Sequence, residues 1–266
     1  MTTDSSNPAR LAFITGASSG IGQALAWHAY QRGWSLALVA RRGDLIRQWA
    51  VQQGLDSRRF AVYEADVGEP DSIIAAAQRC MQQQGLPDLV VANAGISWGV
   101  DTALREDIDA MRQVMDVNVL GVAATFHAFI TPMARRGHGC LAGVASVAGL
   151  RGLPGHGAYC ASKAAAIAYC ESLRGELRGS SVKVTTVLPG YVDTPLTRDN
   201  RYGMPFLMTP QAFAAKAWRA MQAGRSYAII PWQMAWAGRL MRWLPNAVFD
   251  RLVAGRKRKH RHLDRR

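Results

Sequence analysis

No uninterrupted apolar run in this chain reaches the ~18 residues expected of a membrane span, and Met1 to Arg10 lack the apolar core of a secretory leader. A soluble, cytoplasmic protein is therefore expected. Cysteine is scarce. Cys80, Cys140, Cys160 and Cys170 show no C-x-x-C spacing, which points to reduced thiols rather than a disulfide framework. The six histidines are scattered, with His260 and His262 in a charged tail, so no metal is expected. Internal repeats and low-complexity linkers are also missing. Acidic residues are few, 19 against 32 Lys and Arg, for a net charge of +13. The excess is uneven: Arg256 to Arg266 alone carry net +6. Such a tail suits contact with nucleic acid or anionic lipid, or simply a solvated end.

What is present fits one α/β domain with a sizeable core: 266 residues, 49% hydrophobic. Strand-like runs fall at about 11–15, 35–40, 60–63, 89–92, 139–145, 182–188 and 227–230. Helical segments lie between them, near 21–32, 44–53, 70–84, 104–135, 158–178 and 210–223. Strands separated by helices imply right-handed crossovers and a parallel sheet covered on both faces. The expected architecture is a Rossmann-type, doubly wound sheet of seven strands. Its dinucleotide-sized crevice lies at the strand carboxyl ends. The expected organisation is a tail (1–9), a catalytic domain (10–231), a helical extension (232–255) and a basic tail (256–266).

Tyr159 and Lys163 stand at i and i+4, on one face of a helix. A phenol beside an ammonium forms an acid/base pair, because the cation favours phenolate. Thirteen residues upstream, the Ser146 hydroxyl could hold a substrate oxygen beside them. Near the N-terminus an apolar run, Leu11 to Thr15, leads into Gly16, Ser18, Ser19, Gly20, Ile21 and Gly22 and then a helical stretch. This is a strand, phosphate loop and helix: glycines admit a pyrophosphate close to the backbone, and helix N-terminal amides favour its charge. The spacing is T-G-x-x-x-G-x-G. The second strand ends at Arg41-Arg42, with no carboxylate before Asp44. Two guanidiniums match a ribose 2′-phosphate in charge and geometry, so NADP(H) is favoured over NAD.

Taken in order, this glycine loop, Asn93-Ala94-Gly95, Asn118, Ser146, Tyr159 and Lys163 make the chain resemble the short-chain dehydrogenase/reductase family from about Arg10 to Pro231. The resemblance implies a catalytic set of Asn118, Ser146, Tyr159 and Lys163. In it Tyr159 is the general acid, Ser146 steadies the oxygen, Lys163 also binds the nicotinamide ribose, and Asn118 holds a water linking Lys163 to solvent. It places Asp66 and Val67 by the adenine, and Asn93, Ala94 and Gly95 along the adenosine. Pro189, Gly190, Val192 and Thr194 fall by the nicotinamide. It implies a homo-oligomer acting on a small carbonyl or alcohol.

The segment from Tyr191 to Thr209 is expected to form a substrate-side lid. Its apolar residues, Leu196, Tyr202, Met204, Phe206, Leu207 and Met208, favour a hydrophobic ketone or aldehyde. His156 either contacts substrate or is an ordinary loop histidine. Past Ile230, Trp232, Trp236 and Trp243 are interrupted by Arg239 and Arg242, and Pro245 should break the helix. This extension either packs as an ordinary helix or docks on a membrane surface. The leading activity is carbonyl reduction with NADPH. An NAD-linked alcohol dehydrogenase is the second reading, and a non-catalytic nucleotide sensor or nucleic-acid binder using the basic tail is the third. The intact Asn118, Ser146, Tyr159 and Lys163 set argues against the third.

Overall fold

All five residues of strand β1 (Leu11–Thr15) are buried, because β1 lies inside a sheet covered on both faces. Side chains alternate across a strand, so one run serves two cores. Ala12 and Ile14 join the layer that contains Leu25, Ile46 and Phe213. Leu11 and Phe13 join the layer that contains Ile73, Phe126 and Leu173. Phe13 meets Phe129 edge-on with ring centroids 4.9 Å apart. Truncating a fully buried phenylalanine such as Phe13 to alanine costs about 3–5 kcal/mol.

The computed structural model describes residues 9–198, 200, 202–255, 259 and 261. The expected N-terminal tail (except Ala9) and most of the basic tail lie outside the described residues. The other strands are β2 (Ser35–Ala40), β3 (Phe60–Glu64), β4 (Leu89–Ala92), β5 (Cys140–Val144), β6 (Lys183–Pro189) and β7 (Tyr227–Ile230). They form one seven-stranded sheet of order β3-β2-β1-β4-β5-β6-β7, with every pairing parallel. The order reverses between β1 and β4, and the crevice opens there.

Helices α1 (Gly20–Tyr30), α2 (Gly43–Gln52) and α7 (Pro210–Gln222) cover one face. Helices α3 (Pro70–Gln83), α5 (Gly121–Arg136) and α6 (Gly157–Glu176) cover the other. Helix α4 (Arg105–Met115) runs into α5 through a π-helical segment, Asp116–Leu120. The stretch Arg105–Arg136 is long and apolar enough to cross a membrane, but it packs on α3 and α6 as a core helix. All four cysteines are unpaired and buried.

Two further helices, α8 (Gln233–Trp243) and α9 (Asn246–Val253), follow β7, with Pro245 between them. Arg151 pins their junction to the loop after Ser146. Its guanidinium donates to the carbonyls of Met241 and Leu244, the latter at 2.8 Å, and to Asn246 Oδ1 at 3.0 Å. It also lies 3.9 Å from the Phe249 ring centroid. Met234, Gly238, Phe249 and Val253 face inward. Trp232, Trp236, Leu240 and Trp243 form an outward stripe, with Trp243 88% exposed. Within the chain, the tryptophans are therefore not the buried side of the extension.

Candidate active site

The nucleotide half of the site begins where β1 meets the glycine loop. Gly16 has φ +66°, and a Cβ there would lie 2.8 Å from Ala94 Cα. At Gly22 a Cβ would lie 2.3 Å from Gly16 O, so the loop folds back on the helix only over a bare backbone. Thr15 Oγ1 accepts from the amides of Asn93 and Ala94 at 3.0 and 3.1 Å, and Asn93 Nδ2 donates to Thr15 O at 2.9 Å. Asn93 thus braces the loop against β4. Ser19 caps α1 without a side-chain bond, and no acidic residue stands in the first turn. The helix therefore presents unscreened N-terminal amides, an anion-binding end.

A cleft of about 400 Å³ opens over this loop. Gly16, Ser18, Ser19, Gly20 and Ile21 line it, with Arg41, Arg42, Asp66 and Val67. Asn93, Ala94 and Gly95, then Ser146, Tyr159 and Lys163, and Pro189, Gly190, Val192 and Thr194 line the same cleft, with Thr194 packed against Gly20. Two expected residues are absent from the wall: Gly22 lies under the loop, and Asn118 is buried behind it. The cradle fits a dinucleotide in its bare-backbone turn, helix N-terminus and two guanidiniums. Arg41 is 67% exposed, and its Nη1 lies 3.6 Å from Asp66 Oδ2.

Deeper in, Asn118 sits in the π-helical segment, fully buried and hydrogen-bonded by protein groups. Its Oδ1 accepts from Ile96 N at 2.9 Å, and its Nδ2 donates to Ile96 O at 2.9 Å and to Ser162 Oγ at 3.0 Å. Ser162 in turn donates to Tyr159 O at 2.8 Å. Helix α6 and the β4–α4 loop are locked together through this asparagine. Ser162 and Thr15 were not singled out from sequence. Ser162 precedes Lys163 and Thr15 precedes Gly16, and their hydroxyls are the only cue.

Ser146 Oγ accepts from Ala148 N at 3.1 Å and is hydrogen-bonded to the Tyr159 side chain. The lowering contribution of Ser146 is that of a donor to the phenol oxygen, so the serine hydroxyl faces Tyr159. The Tyr159 ring borders the cleft while its hydroxyl end is enclosed. Burial pushes the phenol up to about 12, against a lowering contribution from Ser146. Burial likewise pushes the Lys163 ammonium down to about 8. Lys163 Nζ donates to Val144 O at 2.9 Å and lies 5.8 Å from the Tyr159 ring centroid. Burial is the largest influence on the phenol in this cofactor-free arrangement.

The lid is less apolar towards the cleft than expected. Of its apolar residues, Leu196 lines the cleft, with Pro195 and Thr197. Phe206 and Leu207 are exposed, and Met208 packs on the core. Tyr202 meets His156 edge-on at 5.5 Å. His156 is buried behind the wall, its pKa lowered first by burial and then by the Lys259 charge.

The family model for short chain dehydrogenases matches residues 10–204. An uncharacterized oxidoreductase from Myxococcus xanthus is 38% identical, over 91% of this chain and 95% of that one. A 1-deoxy-11-beta-hydroxypentalenate dehydrogenase from Streptomyces exfoliatus is 32% identical, over 82% of each chain. Among solved structures, a short chain dehydrogenase/reductase from Burkholderia phymatum in complex with NAD superposes with a TM-score of 0.79 at 24% identity, covering 88% of this chain and 92% of that one. The family model covers residues 10–204 and the Myxococcus relative is matched over most of both chains: the chain belongs to the short-chain dehydrogenase family.

Proposed function

We propose that this protein is an NADP(H)-dependent oxidoreductase that reduces a hydrophobic ketone or aldehyde to an alcohol. The observation that carries the reading is that Ser146, Tyr159 and Lys163 line the same cleft as the glycine loop, Arg41 and Arg42. Bound NADPH supplies a hydride to the carbonyl carbon, which leaves the bond's electron pair on oxygen. Tyr159 donates its proton to that oxygen. A phenol with its pKa near 12 is fully protonated at neutral pH and ready to serve as the acid. The Ser146 hydroxyl donates a hydrogen bond to the same oxygen. Lys163 spends one donor on Val144 O and has two left for the nicotinamide ribose and the tyrosine hydroxyl. Asn118 holds the β4–α4 loop and α6 in register.

Arg41 and Arg42 take the 2′-phosphate. The competing observation is Asp66, 3.6 Å from Arg41, which offers that guanidinium another partner and favours the NAD-linked reading. A hydrophobic substrate is supported by Leu196 and Pro195 at the cleft and by a relative named for a dehydrogenase of 1-deoxy-11-beta-hydroxypentalenate. The direct test is a panel of aromatic and aliphatic carbonyls, with NADPH and NADH compared by loss of nicotinamide absorbance. Turnover with NADPH at least tenfold above NADH is expected. A preference for NADH overturns the cofactor assignment.

Cytoplasmic location, a homo-oligomer and peripheral membrane contact belong to the same proposal. The exposed Trp232–Trp236–Leu240–Trp243 stripe with Arg239 and Arg242 suits an anionic bilayer surface. Sedimentation with phosphatidylserine vesicles at low salt should bring the protein down, and Trp236→Ser with Trp243→Ser should release it. Protein that stays in the supernatant leaves the stripe to a second subunit, which light scattering would reveal as a dimer or larger.

A further inference from the structure

Two residues of the basic tail, Lys259 and Arg261, turn into the protein. Lys259 is 5% exposed. Its Nζ donates to Ser97 Oγ at 3.1 Å and to Leu196 O at 3.0 Å. Ser97, from the β4–α4 loop, and Leu196, from the segment after β6, both line the cleft. One ammonium thus bridges two segments that frame the same opening. Two residues on, Arg261 forms an isolated parallel bridge with Gly99. Its Nε and Nη2 donate to the two oxygens of Asp107 at 2.8 and 3.0 Å, and Nη2 also reaches Glu106 Oε1 at 3.1 Å. Asp107 is 2% exposed and also accepts from Asp101 N at 2.6 Å. A forked guanidinium on a buried carboxylate 154 residues away in sequence is a specific contact, not a solvated end.

We infer that Lys259 and Arg261 brace the wall of the substrate site from behind. Lys259 is a positioning residue that ties the β4–α4 loop to the lid segment 191–209, and the Arg261–Asp107 pair latches the tail in place. This rests on the reading that the Ser97–Leu196 end of the cleft takes the carbonyl substrate. Removing the tail leaves Asp107 buried without its guanidinium, a costly state, and leaves the Leu196 carbonyl without the ammonium. The lid then loses its tie to the β4–α4 loop. Thr194 and Pro195 of the same segment pack against Gly20, so its release also reaches the glycine loop.

The test compares full-length protein loaded with NADP⁺ against Lys259→Met, Lys259→Arg and a truncation after Gly255. Hydrogen exchange read by mass spectrometry needs no turnover, so it stands even if the reductase reading fails. Loss of a charge-assisted bond is expected to speed exchange in 191–209 at least ~10-fold in Lys259→Met and in the truncation. Lys259→Arg should keep most of the protection. With 4-nitrobenzaldehyde and NADPH, KM should rise ~10-fold while kcat moves little. Lid exchange within twofold of wild type in both Lys259→Met and the truncation overturns the inference, as does acceleration spread evenly over the sheet. If wild type fails to turn over the aldehyde while the lid is released as expected, the reductase reading falls and the strap remains.

Discussion

Replacing Lys163 with methionine keeps the length of the side chain and removes its charge. The ammonium is 4% exposed, and burial takes its pKa from an ordinary 10.5 to about 8. At ~1.4 kcal/mol per unit, holding the charged form inside the cofactor-free protein costs about 3 kcal/mol. The variant gives up the bond from Nζ to Val144 O, worth about 1 kcal/mol. The net expectation is a variant more stable by about 2 kcal/mol near neutral pH, or roughly 4–8 °C in Tm for a chain of this size. The sign with pH follows from the depressed pKa. Below about pH 8 both folded and unfolded lysines are protonated and the full penalty applies. Between about 8 and 10.5 the unfolded state binds more protons, so wild-type stability gains on the variant and the gap closes. Cys170 and Tyr159, the nearby groups, are pushed up to about 11 and about 12 and titrate above this window. Scanning fluorimetry of both proteins without cofactor at pH 7, 9 and 10.5 reads the gap directly. Equal melting at pH 7, or a gap that does not shrink by pH 10.5, would refute the burial argument. The same variant should lose turnover and the thermal shift that NADPH gives wild type, because the stabilising change removes a working group.

Tyr159→Phe keeps the ring and removes the proton. Steady-state turnover should fall at least ~10²-fold, with NADPH affinity by titration within about twofold of wild type. Neutralising Arg41 and Arg42 together should weaken NADPH far more than NADH in calorimetric titration. Arg41 is well exposed, so the expected loss of preference is near the lower end for charge-assisted contacts, about tenfold. Equal losses for the two cofactors would show that these side chains do not read the phosphate. Gly22→Ala drives a methyl group into Gly16 O. Overpacking of this kind costs about 1–3 kcal/mol, and a lower Tm with weaker binding of both cofactors should follow.

The sheet was legible because its strands are buried on both faces. Runs such as Leu36 to Ala40 carry almost no polar alternation, and the structure buries every one of these residues. The helices between them followed within a residue or two. Tyr159 and Lys163 could be paired from helical spacing alone. Asn118 came only through family resemblance, since no simple period marks a residue in a π-helical segment. Contacts between distant segments left no local trace: nothing near Arg151 announces Met241 and Leu244, and nothing near Arg261 announces Asp107. Lid composition was misleading for a related reason. Hydrophobicity says that Phe206 and Leu207 are apolar but not which way the loop turns them, and the loop turns them outward.

The central claim is that the cleft brings a hydride from NADPH and a proton from Tyr159 to one carbonyl. It is tested most directly with NADPH carrying deuterium at the transferring C4 position and a carbonyl from the panel, with the product read by mass spectrometry. The account predicts an alcohol with one deuterium on the former carbonyl carbon, formed by wild type and lost with Tyr159→Phe. Alcohol without deuterium on that carbon, or equal deuterated product from Tyr159→Phe, would contradict it.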